Sequence, residues 1–552
     1  MRRAGLTILA GLLSAACQPT TTAPTPVPAP APGSGGGAKS TATVLPPIPL
    51  VEGPLTPRIV YPQANQMIQS KDSTFILGSL GNGRANLTIN GQPVEVKPNG
   101  AFLAFVANPP PTAPQYELVA VLGADTARVT QTVRVAGMPP DSTKPLPPPP
   151  PPQVVTDTVP TWVILGDSVS VALDTDRVVI GRPAPNETYR WFLFPGTRAQ
   201  LTARFPGYAR IRLDSALQIW VTAADAKTFA TDTITPRRIA GNSRVRSGCA
   251  TPPPGPGGCE YSDLVIPVAE RPAFFVEEKD RALELTLYDT RANTDLVNYP
   301  TTDGLIRHVE WSQERNDRVR FTLHLDQAPF GFLTLYENGA FVLRVRRKPS
   351  HVTVVADPAS KKPFLSSLWG LTIAVDPGHP PAGATGPTGL YEGDAVLPVA
   401  FILKRMLEQR GATVVMTRTT RDVVDLAMRP IIARRANAHA FVSLHYNAYG
   451  DGINPLRQPN GTETYFYRPH AEPLARAVQA KIVALQPLPD QGVYYRSLAI
   501  ARTTWMPSIL VEGGFIIIPE QENAMKTEPF QERYARAVAD GLETYFRAVR
   551  SP

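Results

Sequence analysis

Six consecutive prolines, Pro147 to Pro152, constrain this chain more than any other stretch. Proline has a fixed φ and no backbone N–H, so such a run enters neither a helix interior nor the middle of a sheet. It forms an extended polyproline II strut rising about 3.1 Å per residue. The chain must fold as separate units on either side of it. Sixty prolines in 552 residues, against an average of about 5%, cluster in such linkers. At roughly 100–200 residues per domain, the length admits several domains.

The first 17 residues read as an export signal. Arg2 and Arg3 are the positive region, Leu6 to Leu13 the apolar region, and Ser14-Ala15-Ala16 the small residues before Cys17. The apolar run is too short to span a bilayer core of about 30 Å. Small residues abutting a cysteine resemble the lipobox of bacterial lipoproteins, which implies a lipid anchor on Cys17. Leu13 stands one place upstream of the usual lipobox leucine, which keeps ordinary cleavage after Ala16 as a rival. Gln18 is not the aspartate that resembles an inner-membrane retention signal, so the expected location is periplasmic, anchored to the outer membrane. Residues 18–57 are rich in Pro, Ala and Thr, bury little, and are expected to be a disordered tether.

Residues 58–137 carry short alternating runs with Asn90-Gly91 and Asn99-Gly100 as hairpin signals. The spacing fits an immunoglobulin-like sandwich and resembles bacterial Ig-like modules, read here as a spacer over a wall-binding module. After the linker at 138–153, residues 154–262 hold further strands. Tyr208–Asp214 and Leu217–Asp225 resemble the closing hairpin of SH3-like wall domains. Cys249 and Cys259 flank a short Pro/Gly loop. In an exported chain they read as a disulfide, adding roughly 2–3 kcal/mol by loop-closure entropy. Residues 263–350 alternate with period 2 and resemble, in pattern and position, the AMIN domains that precede amidase domains. His308 and His324 are read as ordinary strand residues.

In the last third, strands alternate with helical patterns, which argues a layered α/β domain. Leu371 to Val375 is an apolar run stopped by Asp376-Pro377-Gly378, and His379 follows. Glu392 precedes a helix expected from about Asp394 to Gln409. His445 and Glu512 stand at the ends of two further strands. Two imidazoles and a carboxylate with an open fourth position are the ligand set of a catalytic zinc. A second carboxylate is what hydrolysis needs as a proton shuttle. The expected fold class is multidomain: all-β modules, then an α/β domain over 365–552 with helices on both faces of a central sheet.

Asp376-Pro377-Gly378-His379, Gly389-Leu390-Tyr391-Glu392, Ser443-Leu444-His445-Tyr446-Asn447-Ala448, Gly461-Thr462-Glu463-Thr464 and Val511-Glu512-Gly513-Gly514-Phe515 stand in one order. Together they resemble the zinc-dependent N-acetylmuramoyl-L-alanine amidases. The resemblance implies His379, Glu392 and His445 as ligands of Zn(2+), with Glu512 as the catalytic proton shuttle. It implies peptidoglycan as substrate, cut between N-acetylmuramic acid and the L-alanine of the stem peptide, for wall remodelling or daughter-cell separation. A peptidase acting on the stem, or a non-catalytic wall-binding lipoprotein, are the alternatives. Ile516-Ile517-Ile518-Pro519 departs from the small residue and Asn that many members carry before Pro. Some diderm members insert a long helix that blocks the metal site until an activator arrives. Here Tyr467 leads directly to the helix expected at Pro473, which leaves no room for one.

Asp376 is read as support for the His379 turn, His439 as a surface residue at the far end of its strand, and His470 as a loop residue. The net charge of +8 suits an anionic polymer or ordinary solubility. No basic block interleaved with aromatics points to nucleic acid.

Overall fold

The computed structural model of the chain describes residues 44–135, 153–166, 178–228, 238–248, 260–300, 304–350, 355–356, 363–364 and 366–551. The leader with Cys17, the proline strut and the Cys249/Cys259 loop lie outside the described residues. Among the described residues no helix is long and apolar enough to cross a membrane.

Upstream of residue 350 the described regular structure is almost entirely β. Residues 58–135 form a three-stranded and a four-stranded antiparallel sheet around Ile76, Phe102, Tyr116 and Leu118. Residues 155–228 give a five-stranded antiparallel sheet over Leu201, Ile211 and Val221. A five-stranded and a four-stranded sheet then enclose Leu264, Leu285, Phe321 and Leu343.

Two expected boundaries move. The boundary at 262/263 falls inside the strand Tyr261–Pro267, which pairs with Ser243–Gly248. Both strands belong to the last sandwich, because its edge needs that partner. The segment before Arg58 is also more than a tether. Val51 and Thr56 donate backbone N–H bonds to Pro98 and Leu80, and Leu45 packs on the main core. Its few apolar side chains suffice to dock it.

The C-terminal domain is built from β1 (Thr372–Pro377), α1 (Glu392–Gln409), β2 (Thr413–Met416), α2 (Met428–Arg435), β3 (Ala440–Asn447), β4 (Thr462–Phe466), α3 (Glu472–Leu485), β5 (Asp490–Tyr495), β6 (Ser508–Phe515), α4 (Pro519–Met525) and α5 (Glu528–Val549). Its sheet runs β2-β1-β3-β6-β4-β5. The first four strands in that order are parallel, β4 lies antiparallel to β6, and β5 is parallel to β4. Gly411, at φ 82°, ends α1, as a left-handed residue after a helix commonly does. The helix expected from Asp394 to Gln409 starts two residues earlier, at Glu392, and the apolar run Leu371–Val375 becomes the strand Thr372–Pro377.

Successive strand residues point to opposite faces, and both faces are covered. Ile373, Val375, Val442, Leu444, Ile509 and Val511 pack with the apolar sides of α1, α3 and α5. Ala374, Phe441 and Leu510 pack with Ala433 of α2, Trp505 and Met506 on the other side. The same alternation puts Asp376, Ser443, His445 and Glu512 on the second face.

The β modules are docked. Phe75, Leu77 and Leu103 of the first sandwich belong to the same apolar core as α1 and the sheet. Nearby, Asp451 accepts from the Gln69 N–H at 2.8 Å and from the Tyr61 hydroxyl. At the opposite end of the sheet, Arg346 of the last sandwich donates to the carbonyls of Asn437 and Ala438. The first module is therefore not a free spacer: its apolar face is buried against the C-terminal α/β domain.

Candidate metal centre and proton shuttle

His379 sits two residues beyond β1 in the left-handed region, at φ 57°. A non-glycine residue there is strained by roughly 1–2 kcal/mol, so the surroundings must hold it. Two buried arginines do so. Arg418 donates to the carbonyls of Pro377 at 2.9 Å and Gly378 at 2.8 Å. Arg429 donates to the Asp376 carboxylate at 2.7 Å and the Pro380 carbonyl at 2.7 Å. Gly378 is required by close approach: a Cβ there would lie 2.3 Å from the His445 ring. Asp376 supports this turn, as expected. The two arginines were missed; the available signal was a charge directly after an apolar strand, as in Met416-Thr417-Arg418.

Glu392 is the first residue of α1, and its side chain is buried. Its Oε2 lies 3.1 Å from His379 Nε2 and its Oε1 2.9 Å from His445 Nδ1. The backbone N–H groups of Ala384 and Tyr446 also donate to it, at 3.0 and 3.1 Å. Burial alone would raise its pKa, but hydrogen bonds from the two imidazoles hold it far below the usual carboxylate range. Burial works against charge on His379, and Glu392 more than offsets it, leaving the pKa raised.

The donor atoms of His379, Glu392 and His445 all lie within 4.8 Å of one another. A tetrahedral ion with bonds of about 2.0–2.1 Å separates its ligands by about 3.3 Å, which is inside the 4.8 Å that spans this group. Each imidazole uses its other nitrogen on the protein. His379 Nδ1 meets the Pro381 carbonyl at 3.0 Å, and His445 Nε2 meets Ser443 Oγ at 3.0 Å. Metal-binding histidines are oriented in this way. The donor set, its spacing and its supports fit a divalent metal.

Glu512 stands directly opposite His445 in the β3/β6 register. Its Oε2 is buried and accepts no hydrogen bond. Burial first, then the charges of Glu392 and Glu463, raise its pKa well above the ordinary carboxyl value. Glu463 pairs with Glu512 across β4 and β6. It accepts from the Tyr465 hydroxyl at 2.6 Å and from Asn447, and its own pKa is raised by burial. The four expected chemical residues thus converge on one end of one sheet face.

The remaining histidines do not join them. His439 is a correction: it is half-buried and bonded rather than free at the surface. Its Nδ1 accepts from the Thr372 N–H at 3.0 Å, and burial with Arg346 nearby pushes its pKa down to about 3. The docked Arg346 covers the strand start that the sequence left open. His470 is buried against Glu278 of the last sandwich at 2.9 Å. His308 and His324 are cross-strand neighbours on that sandwich.

Residues 373–544 match the family model described as N-acetylmuramoyl-L-alanine amidase. The probable cell wall amidase LytH of Staphylococcus aureus is 32% identical over 203 residues, 36% of this chain and 65% of that protein. The chain thus spans just under two thirds of the length of the curated relatives it matches. Among solved structures, the N-acetylmuramoyl-L-alanine amidase AmiC2 of Nostoc punctiforme is 34% identical, covering 32% of this chain and 97% of that one at a TM-score of 0.30. The catalytic domain of the amidase CwlV from Bacillus (Paenibacillus) polymyxa var. colistinus is 30% identical, covering 32% and 98% at a TM-score of 0.30.

Proposed function

We propose that this chain, which carries an N-acetylmuramoyl-L-alanine amidase domain over residues 373–544, is a zinc-dependent peptidoglycan amidase. The bond cut joins N-acetylmuramic acid to the L-alanine of the stem peptide. The observation that carries the reading is the half-buried Glu512, its Oε2 without a hydrogen-bond partner, beside the His379–Glu392–His445 cluster.

His379, Glu392 and His445 would hold a zinc ion. Bound there, it would supply a Lewis acid for the amide carbonyl and a water with a pKa of about 7. Glu512 accepts the proton of the attacking water and passes it to the leaving nitrogen, which departs poorly unless protonated. Arg418 and Arg429 keep the His379 turn in place.

The upstream β modules, Ig-like first and AMIN-like last, serve as docked wall-binding units, and Cys17 is the lipidated residue of an exported protein. Only the short turn Pro469–Ala471 separates β4 from α3, so the enzyme needs no activator to withdraw a blocking helix there.

Digestion of purified peptidoglycan by the full chain with zinc, followed by mass analysis, tests the reading. Free stem peptides beginning at L-Ala, lost on Glu512→Gln, are expected. Shortened peptides still joined to muramic acid would assign a peptidase. Zinc uptake without any release would leave a wall-binding protein.

A further inference from the structure

One hydrogen-bonded chain runs away from the metal cluster into the buried sheet. Asp376 and Ser443 are direct neighbours in the β1/β3 register. Ser443 Oγ lies 2.6 Å from Asp376 Oδ2 and 3.0 Å from His445 Nε2. The other Asp376 oxygen receives Arg429 at 2.7 Å and the Thr417 hydroxyl. Asp376 is 1% exposed and Ser443 0%, so water does not compete for these bonds.

The directions of the bonds follow from chemistry. The Asp376 carboxylate, paired with Arg429, is acceptor-only. Ser443 has a single proton, and it goes to Asp376. Towards His445, Ser443 Oγ can then only accept, so His445 Nε2 must carry a hydrogen. Nδ1, which meets Glu392 at 2.9 Å in the metal-free fold, is then the nitrogen that gives up its hydrogen and offers its lone pair when a metal binds.

Resting on the zinc reading above, we propose that Ser443 and Asp376 are positioning residues that fix the metal-binding tautomer and ring angle of His445. The relay explains why a hydroxyl and a charge are spent inside an otherwise apolar sheet. Outer partners of metal-bound histidines typically contribute 10–100-fold to metal affinity.

The test titrates the metal-free full chain with zinc against a competing chelator, comparing wild type, Ser443→Ala and Thr417→Val. Thr417 bonds the same aspartate through its other oxygen but has no link to His445. Ser443→Ala should weaken zinc binding about 10–100-fold. Thr417→Val should stay within about threefold while lowering the melting temperature comparably. In the zinc-loaded protein, the His445 Nε2–H resonance should exchange faster with water in Ser443→Ala than in Thr417→Val. Wild-type zinc affinity in Ser443→Ala, or equal losses in both variants, would overturn the relay. A wild-type chain that takes up no zinc removes the metal reading itself, and the relay with it.

Discussion

Glu512→Gln should make the protein a worse enzyme and a sturdier fold. The amide keeps the shape of the side chain but cannot shuttle a proton. Loss of a positioned acid–base group lowers kcat by about 10²–10⁴, or about 3–5 kcal/mol on the barrier. Stability moves the other way, because Oε2 is buried without a partner and the carboxyl stands near the charges of Glu392 and Glu463. Its folded pKa is raised, so the folded state binds the proton more tightly than the unfolded chain, whose carboxyl titrates near 4.3. Wild-type stability therefore falls as pH rises from about 4.3 to the raised folded value, and the full penalty persists above it. The variant has no such penalty. In the metal-free full chain, the catalytic transition of Glu512→Gln should lie above wild type at pH 8, by about 2–4 °C for each kcal/mol recovered. The gap should close below about pH 4, where both chains are neutral at this position. Calorimetry across that range checks it. A variant no more stable at pH 8, or a gap independent of pH, would refute the reasoning.

Other outcomes follow from the same geometry. His439 stays neutral when folded, with a pKa near 3, so wild type should lose stability as pH falls from about 6.5 towards 3. His439→Phe should remove that acid loss while costing about 1–3 kcal/mol at pH 7, by orphaning the Thr372 N–H; denaturant titrations at two pH values separate the effects. Leu77→Ala, in the first sandwich but in the catalytic core cluster, should cost about 2–5 kcal/mol and lower the melting of the catalytic domain. A shift confined to the sandwich transition would show that the two cores are independent. Chelation should abolish cleavage and lower the melting temperature, zinc should restore both, and Glu392→Gln should bind zinc poorly.

The chemical residues were legible in the sequence because each stands at a local punctuation mark. Asp376-Pro377-Gly378 stops a strand before His379, a helical pattern starts at Glu392, and apolar runs end at His445 and Glu512. Strand and helix periodicity are short-range properties, so the α/β layering could be read from them. Period-2 alternation likewise announced the β modules.

Partners distant in sequence could not be read. Arg418, Arg429 and Ser443 are unremarkable until β1, β2 and β3 lie side by side, where Arg429 and Ser443 meet Asp376 and Arg418 meets the Pro377 and Gly378 carbonyls. The depth of His439 depended on Arg346, which lies 93 positions upstream by numbering and belongs to another module. The docking of the first sandwich was equally hidden, since Phe75, Leu77 and Leu103 look like ordinary sandwich residues. Sequence by itself determined which residues are the candidates for the chemistry and which elements deliver them, because local backbone preference and hydrophobic period decide that. Only the tertiary structure decided their protonation, their supports and the wall of neighbouring modules. Those depend on burial and on charges brought within a few ångströms by long-range packing.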